Sequence, residues 1–289
     1  MNRPWPAPAK LNLFLHVVGR RPDGYHELQT VFQLIDLCDL LSFRPTADGS
    51  ITRPAGPPGI APEEDLVVRA ARLLQAETGC RRGVEIRVDK RIPWGGGLGG
   101  GSSDAATTLV ALNRLWGTGL SREALAALGL RLGADVPVFV QGRSGWAEGV
   151  GERLTPLDLP GRWFAVVRPG CTVGTAEVFQ APELTRNSPP TTITGFLSSG
   201  GRNDCEPVVR RRYPEVGAAL DWLGGRGEAR LTGTGSCVFA PAQDEAAAKR
   251  LLEGLPERWR GFVARGLNES PLLDRERAAG GPQARGPGG

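Results

Sequence analysis

Lysine, histidine, tyrosine and methionine are scarce in this 289-residue chain, which has three lysines (Lys10, Lys90, Lys249), two histidines, two tyrosines and one methionine. Arginine fills almost every other positive position, so a lysine or histidine near a site carries more information than usual. The five cysteines (Cys38, Cys80, Cys171, Cys205, Cys237) are odd in number and never occur as C-x-x-C, which argues against a disulfide framework and a zinc cluster and reads as reduced thiols. No apolar run reaches the ~18 residues of a membrane span. Leu11 to Val18 is interrupted by Asn12 and His16 and is followed by no small-residue cleavage site, so a secretory signal is not expected and a cytoplasmic location is. With 41 glycines and 24 prolines the chain is turn-rich without being low-complexity. Its 35 bases and 31 acids are interspersed and leave a net charge of only +4. The densest basic cluster, Arg210-Arg-Arg212, is flanked by Glu206 and Glu215 and reads as a solvated helical face, so neither a nucleic acid nor a membrane is expected as partner.

What is present is a mixed pattern. Leu11 to Val18 reads as a half-buried strand, Arg21-Pro-Asp-Gly24 as a turn, and Thr30 to Arg44 as a second strand. Ala47 to Pro62 reads as a loop. Leu66, Ala70, Leu73 and Leu74 give a helical period that starts after Asp65 and stops at Gly79. Gly83 to Val88 alternates as a strand, and Arg122 to Leu132 reads as a helix before a tight junction at Gly133-Ala-Asp-Val-Pro137. Gly161 to Pro169 is a strand, Asn203 to Leu223 a helix broken at Pro214, and Leu231 to Phe239 a strand interrupted by Gly233-Thr-Gly-Ser236. The irregular alternation favours an α+β fold over a doubly wound sheet. The expected division is residues 1–155 and 156–276, with 277–289 as a disordered tail.

The stretch Pro93-Trp-Gly-Gly-Gly-Leu-Gly-Gly-Gly-Ser-Ser103 carries six glycines in seven residues, Gly95 to Gly101. Glycines let the main chain approach a ligand, and Ser102, Ser103 and Asp104 read as the capped start of a helix whose dipole favours phosphate. A flexible linker seldom runs straight into an amphipathic helix with Ala105, Leu109, Leu112 and Trp116 on one face. A dinucleotide fingerprint is literally present (Gly95, Gly97, Gly100), but Pro93 and Trp94 separate it from the strand. A Walker A loop is excluded because no Gly-Lys-Ser/Thr follows.

A phosphate cradle of another type remains, and Pro93 to Ser103 resembles the second motif of the GHMP kinases, the family of galactokinase, homoserine kinase, mevalonate kinase and phosphomevalonate kinase. Pro8-Ala-Lys-Leu-Asn-Leu13 is similar to the first motif and Leu231-Thr-Gly-Thr-Gly-Ser-Cys237 to the third, in the family's order. Lys10 to His16, Arg21 to Leu28, Gly133 to Phe139 and Asn203 to Glu206 resemble the branch acting on a cytidine diphosphate conjugate in non-mevalonate isoprenoid synthesis. Asp104 departs from the asparagine expected there.

The resemblance implies a two-domain GHMP kinase fold with the active site in the cleft between domains, ATP as co-substrate with Mg²⁺, and phosphorylation of the 2-hydroxyl of the conjugate's polyol. The alternative is a homoserine- or mevalonate-type kinase. It implies a monomer or homodimer. Asp135 becomes the base and Lys10 its partner, although Asp-Val-Pro is equally the pattern of a helix N-cap. The ATP site becomes Pro93, Trp94, Gly95, Gly96, Gly97, Leu98, Gly99, Gly100, Gly101, Ser102 and Ser103. Tyr25 offers a stacking face and His26 an edge to a base, with Phe179 as the opposite face and Thr175 and Asn12 as polar contacts; Phe179 also suits a buried helix turn. No metal ligand is assigned, and His16 is expected to be structural.

Overall fold

The computed structural model describes residues 3–55 and 59–279. The first half runs β1 (Trp5–Arg20), β2 (His26–Thr46), β3 (Ile51–Thr52), α1 (Leu66–Thr78), β4 (Gly83–Asp89), α2 (Gly100–Trp116), α3 (Arg122–Leu130), α4 (Val136–Gln141), β5 (Gly145–Gly149) and β6 (Arg153–Pro156). The second runs β7 (Trp163–Arg168), α5 (Thr175–Gln180), α6 (Ile193–Ser199), α7 (Glu206–Arg212), α8 (Pro214–Gly224), β8 (Arg230–Leu231), β9 (Val238–Ala242), α9 (Glu245–Leu251), β10 (Arg260–Leu267) and α10 (Pro271–Ala279). The class is α+β. No helix among the described residues is long and apolar enough to cross a membrane.

Alternating apolar side chains make β1 and β2 a long antiparallel hairpin around the Arg21–Gly24 turn, with Lys10 opposite Leu34, Asn12 opposite Phe32 and Arg20 opposite His26. That register sets Lys10 and His26 on neighbouring strands of one platform. The sheet continues in the order β3-β4-β2-β10-β7-β9-β8, with β1 and β5 also on β2 and β6 on β5. β10 was not evident in the sequence. It pairs with β2 through Gly266 and Leu267 and with β7 along Arg260 to Arg265, joining the two halves.

The three largest apolar clusters among the described residues follow this plan. One packs α1, α2 and β4 around Leu74, Ile86, Leu109 and Phe139. A second, in the later half, holds Val167, Val209, Leu220 and Val238. The third is shared, since Leu11, Ile35 and Leu98 meet Phe164 and Phe239. Leu98 is the one side chain within the six glycines, and its burial anchors the loop; burying a leucine is worth roughly 1.5–3 kcal/mol. Leu272 of α10 joins the first cluster. Arg277 to Ala279, expected in the tail, are helical because α10 packs back on β1 and α2; the rest of that tail, 280–289, lies outside the described residues.

Helix boundaries follow their capping chemistry. Asp65 accepts from the Val67 N–H at the start of α1, and Gly79 closes it with φ 63°. α2 differs from expectation: it begins at Gly100, two residues before Ser102, and its N-cap is Gly99 at φ 72° with no side-chain cap bond. Ser102 and Ser103 are therefore first-turn residues.

Candidate active site

A cavity of about 440 Å³ is lined by Lys10, Lys90, Pro93 to Ser102, Ala134, Asp135, Thr175, Phe179, Gly233 and Thr234, among others. Ten of the eleven residues expected at the ATP site line it. Ser103 does not: it is fully buried, with its hydroxyl lacking a hydrogen-bond partner among the described residues.

The floor of the cavity is made by three segments distant in sequence. The Lys10 N–H donates to the Leu98 carbonyl (3.0 Å), while the Ser236 and Cys237 N–H groups donate to the Gly95 and Gly96 carbonyls (3.2 and 3.1 Å). The Asn12 N–H donates to the Thr232 hydroxyl (2.9 Å). This packing, rather than the ligand alone, requires glycine. A Cβ on Gly97 would lie 2.4 Å from the Thr232 carbonyl, and one on Gly99 would lie 2.7 Å from Phe139. Both residues also adopt φ above 70°, which disfavours a side chain. With no side-chain cap on α2, the N–H groups of its first turn remain free to meet an anion.

Lys10 lies at the centre and is 3% exposed. Its ammonium donates to Asn12 Oδ1 (2.6 Å) and the Gly97 carbonyl (3.0 Å) and pairs with Asp135 at 3.3 Å. Three acceptors thus face three donors. Asp135 occupies the N-cap position of α4, yet its side chain makes no cap bond. Its carboxylate turns to Lys10, and its second oxygen makes no protein hydrogen bond among the described residues. The capping alternative for this residue is therefore not what the geometry realises.

Lys90 is a site residue that the sequence reading passed over, although its rarity was a usable signal. It donates to Asp39 (2.6 Å) and Asp104 (2.7 Å) and lies 5.0 Å from the centre of the half-exposed Trp94 ring. The departure at position 104 is thereby accounted for: Asp104 faces Lys90 and does not line this cavity. Burial, with Asp39 adding repulsion and Lys90 opposing, pushes its carboxyl up to about 7. Burial also pushes the Cys38, Cys205 and Cys237 thiols up to about 12, so none is a ready nucleophile. No group of three or more metal-binding side chains occurs among the described residues.

The cavity continues past Leu28, Ala134, Val150, Thr175 and Phe179 into a second one of about 390 Å³, lined also by Tyr25, His26 and Arg186. Tyr25 is 62% exposed at its rim. The His26 and Phe179 rings stack at 5.2 Å and 28°, and the Thr175 hydroxyl lies 3.0 Å from that of Thr234. Four of the five expected substrate contacts therefore converge. Asn12 does not join them: its carbonyl oxygen accepts from Lys10, its amide donates to Thr30 (2.9 Å), and it lines neither cavity. Both ends of the carboxamide are engaged by the protein, and the residue stands beside Lys10 rather than with the other four. His16 is buried against Phe14, outside both cavities.

The chain matches the GHMP kinases N terminal domain over residues 65–143 and the GHMP kinases C terminal domain over 193–261. It is 62% identical over 276 residues to the 4-diphosphocytidyl-2-C-methyl-D-erythritol kinase of Alkalilimnicola ehrlichii, covering 96% of this chain and 95% of that protein. A crystal structure of 4-(cytidine 5'-diphospho)-2C-methyl-D-erythritol kinase superposes with a TM-score of 0.79 at 38% identity, over 90% of this chain and 98% of that one. The mevalonate kinase of Methanococcus jannaschii shares the fold, with a TM-score of 0.66 at 18% identity, over 93% and 99% of the two chains.

Proposed function

Because this chain belongs to the GHMP kinases, and within them to the 4-diphosphocytidyl-2-C-methyl-D-erythritol kinases, we propose that it phosphorylates the 2-hydroxyl of that substrate, with the residues described above in the following roles. The chain is an ATP-dependent small-molecule kinase. The mevalonate-type alternative has only a fold-level likeness in its favour.

The observation that carries the residue assignment is the Lys10–Asp135 pair standing where the glycine loop meets the base-sized cavity. Phosphoryl transfer asks mainly for alignment and stabilisation of charge. Gly95 to Ser102 and the first turn of α2 hold the ATP phosphates. Asp135, with one oxygen free, accepts the proton of the substrate hydroxyl as that oxygen attacks the γ-phosphorus in line. Lys10 pairs with the Asp135 carboxylate and its cation faces the charge that builds on the transferring group. Asn12, together with the Gly97 carbonyl, fixes the Lys10 ammonium. Mg²⁺ accompanies ATP, and the oxygen donors lining the cavity, Asp135 and Ser102, suit a hard cation. Tyr25, Phe179, His26 and Thr175 receive the cytosine, and residues 1–155 and 156–276 form the two lobes around the cleft.

The test is ATP turnover by nuclease-treated protein with and without the diphosphocytidyl substrate. Turnover should depend on that conjugate; equal turnover with a free polyol lacking the nucleotide would overturn the assignment.

A further inference from the structure

Arg186 lies in the connection between α5 and α6. Its guanidinium donates to His26 Nε2 at 3.1 Å and to the carbonyls of Leu184 (3.1 Å), Phe179 (2.9 Å) and Ala181 (2.7 Å). An arginine has no acceptor and does not give up its proton in a protein. The Nε2 atom facing it must therefore present a lone pair, and the proton of the neutral ring resides on Nδ1. Burial first, then the charges of Arg186 and Arg20, lowers the imidazole below its usual range, which favours the neutral ring. Among the described residues Nδ1 has no hydrogen-bond partner, while the ring lines the second cavity against Phe179.

We infer that Arg186 sets the base selectivity of this kinase by holding His26 in the tautomer that donates from Nδ1. The inference rests on the cytidine reading above. Cytosine carries a lone pair at N3, which a donor satisfies. Uracil carries N3–H at the same place, which meets that donor head-on and leaves both protons unpaired. Released from Arg186, the imidazole can move its proton to Nε2 and present a lone pair at Nδ1, which suits uracil. Arg186 touches neither base nor phosphate in this scheme and acts through His26 alone; it is a positioning residue. The three carbonyls it gathers hold the end of α5, and with it Phe179, in the same place.

The chain has two histidines, so ¹⁵N-histidine labelling of the intact protein gives two resolvable rings, and a His26→Ala sample assigns them. In the parent, His26 should show an unprotonated Nε2 and a protonated Nδ1. Arg186→Lys keeps the charge and loses the fork, and Arg186→Gln loses both. Arg186→Gln, which can offer an acceptor, should mix or reverse the tautomers and lower the ratio of kcat/KM for cytidine over uridine conjugate about tenfold, a hydrogen bond left unmade on the wrong base being worth about that factor, whereas Arg186→Lys, still donor-only, should stay nearer the parent. KM for ATP should stay constant. A parent His26 protonated at Nε2, or an Arg186→Gln variant with parental tautomer and parental ratio, would overturn the inference. Should both variants fail to fold, the parent decides: cytidine conjugate must shift the Nδ1 resonance more than uridine conjugate, and equal shifts count against Arg186. A parent that ignores the cytidine conjugate altogether defeats the functional reading instead, and the tautomer assignment separates the two failures.

Discussion

The phosphate end and the base end of this cleft are built on opposite principles. The phosphate end is main chain: glycines whose neighbours, the Thr232 carbonyl at Gly97 and the Phe139 ring at Gly99, leave no room for a Cβ, a helix start without a side-chain cap, and a lysine 3% exposed with all three donors engaged. The base end is side chain: a tyrosine 62% exposed, two stacked rings, and an arginine reaching across from a loop. On the proposed assignment the main-chain cradle would meet the nucleotide phosphates. Side chains on a rim can be exchanged without disturbing it, and there one branch of the family parts from another.

The sharpest way to break this division is at the junction. Asp135→Asn should lower kcat by roughly 10² to 10⁴ while leaving both KM values near the parent, because a positioned proton acceptor is worth about that much. Its melting temperature should fall modestly, since the buried Lys10 ammonium loses a charged partner although no cap is lost. Steady-state kinetics beside thermal melts decides; turnover within a few-fold of the parent would remove Asp135 from the chemistry.

Gly97→Val probes the main-chain end. The new side chain meets the Thr232 carbonyl before it meets any ligand, so stability should fall by about 1–3 kcal/mol from overpacking alone, together with loss of ATP affinity. Calorimetry of melting and of nucleotide binding reads both. An intact melt with ATP affinity lost would show instead that the space belongs to the phosphates.

At the base end the two aromatics should separate. Tyr25→Ala and Phe179→Ala should each raise KM for the cytidine substrate roughly 5- to 150-fold, from about 1–3 kcal/mol of stacking. Tyr25→Ala should leave the melt unchanged. Phe179→Ala should lower it, because that ring also packs against the second apolar cluster. Unchanged KM in both variants would place the base elsewhere.

The smallest effect is a slope. The Asp104 carboxyl is raised from 3.8 to about 7 in the fold, so the stability it contributes is full below the lower value and is lost as pH climbs through the upper one. Asp104→Asn removes that dependence. The melting temperature of the variant relative to the parent should therefore rise between about pH 4 and about pH 7 and then level off. A flat difference would show that Lys90 holds the carboxylate ionised throughout.

Legibility in the sequence tracked contiguity. Pro8 to Leu13, Gly95 to Ser102 and Gly233 to Ser236 could be read because each puts its chemistry in one short stretch. Tyr25-His26 could be read because both residue types are rare. Lys90 adjoins the loop in space but sits in an ordinary Asp-Lys-Arg run, and only the shortage of lysine marked it. Arg186 is one of 32 arginines and had no mark at all. Asn12 lay within the right motif, but whether its carboxamide turned to the base or to Lys10 depended on Thr30 across the hairpin, a partner that spacing does not supply. The start of α2 was misplaced because a left-handed glycine, not a serine hydroxyl, ends the loop. β10 escaped notice because two glycines and two arginines interrupt its alternation.

That last strand has a consequence for synthesis. β10 fills the middle of the sheet, between β2 and β7, yet its residues emerge after nearly everything else in the chain. Until residue 267 has left the ribosome, β2 and β7 each carry an open edge, and open edges are where nascent chains pair wrongly. The sheet that carries the cleft is therefore continuous only once β10 has paired with both β2 and β7.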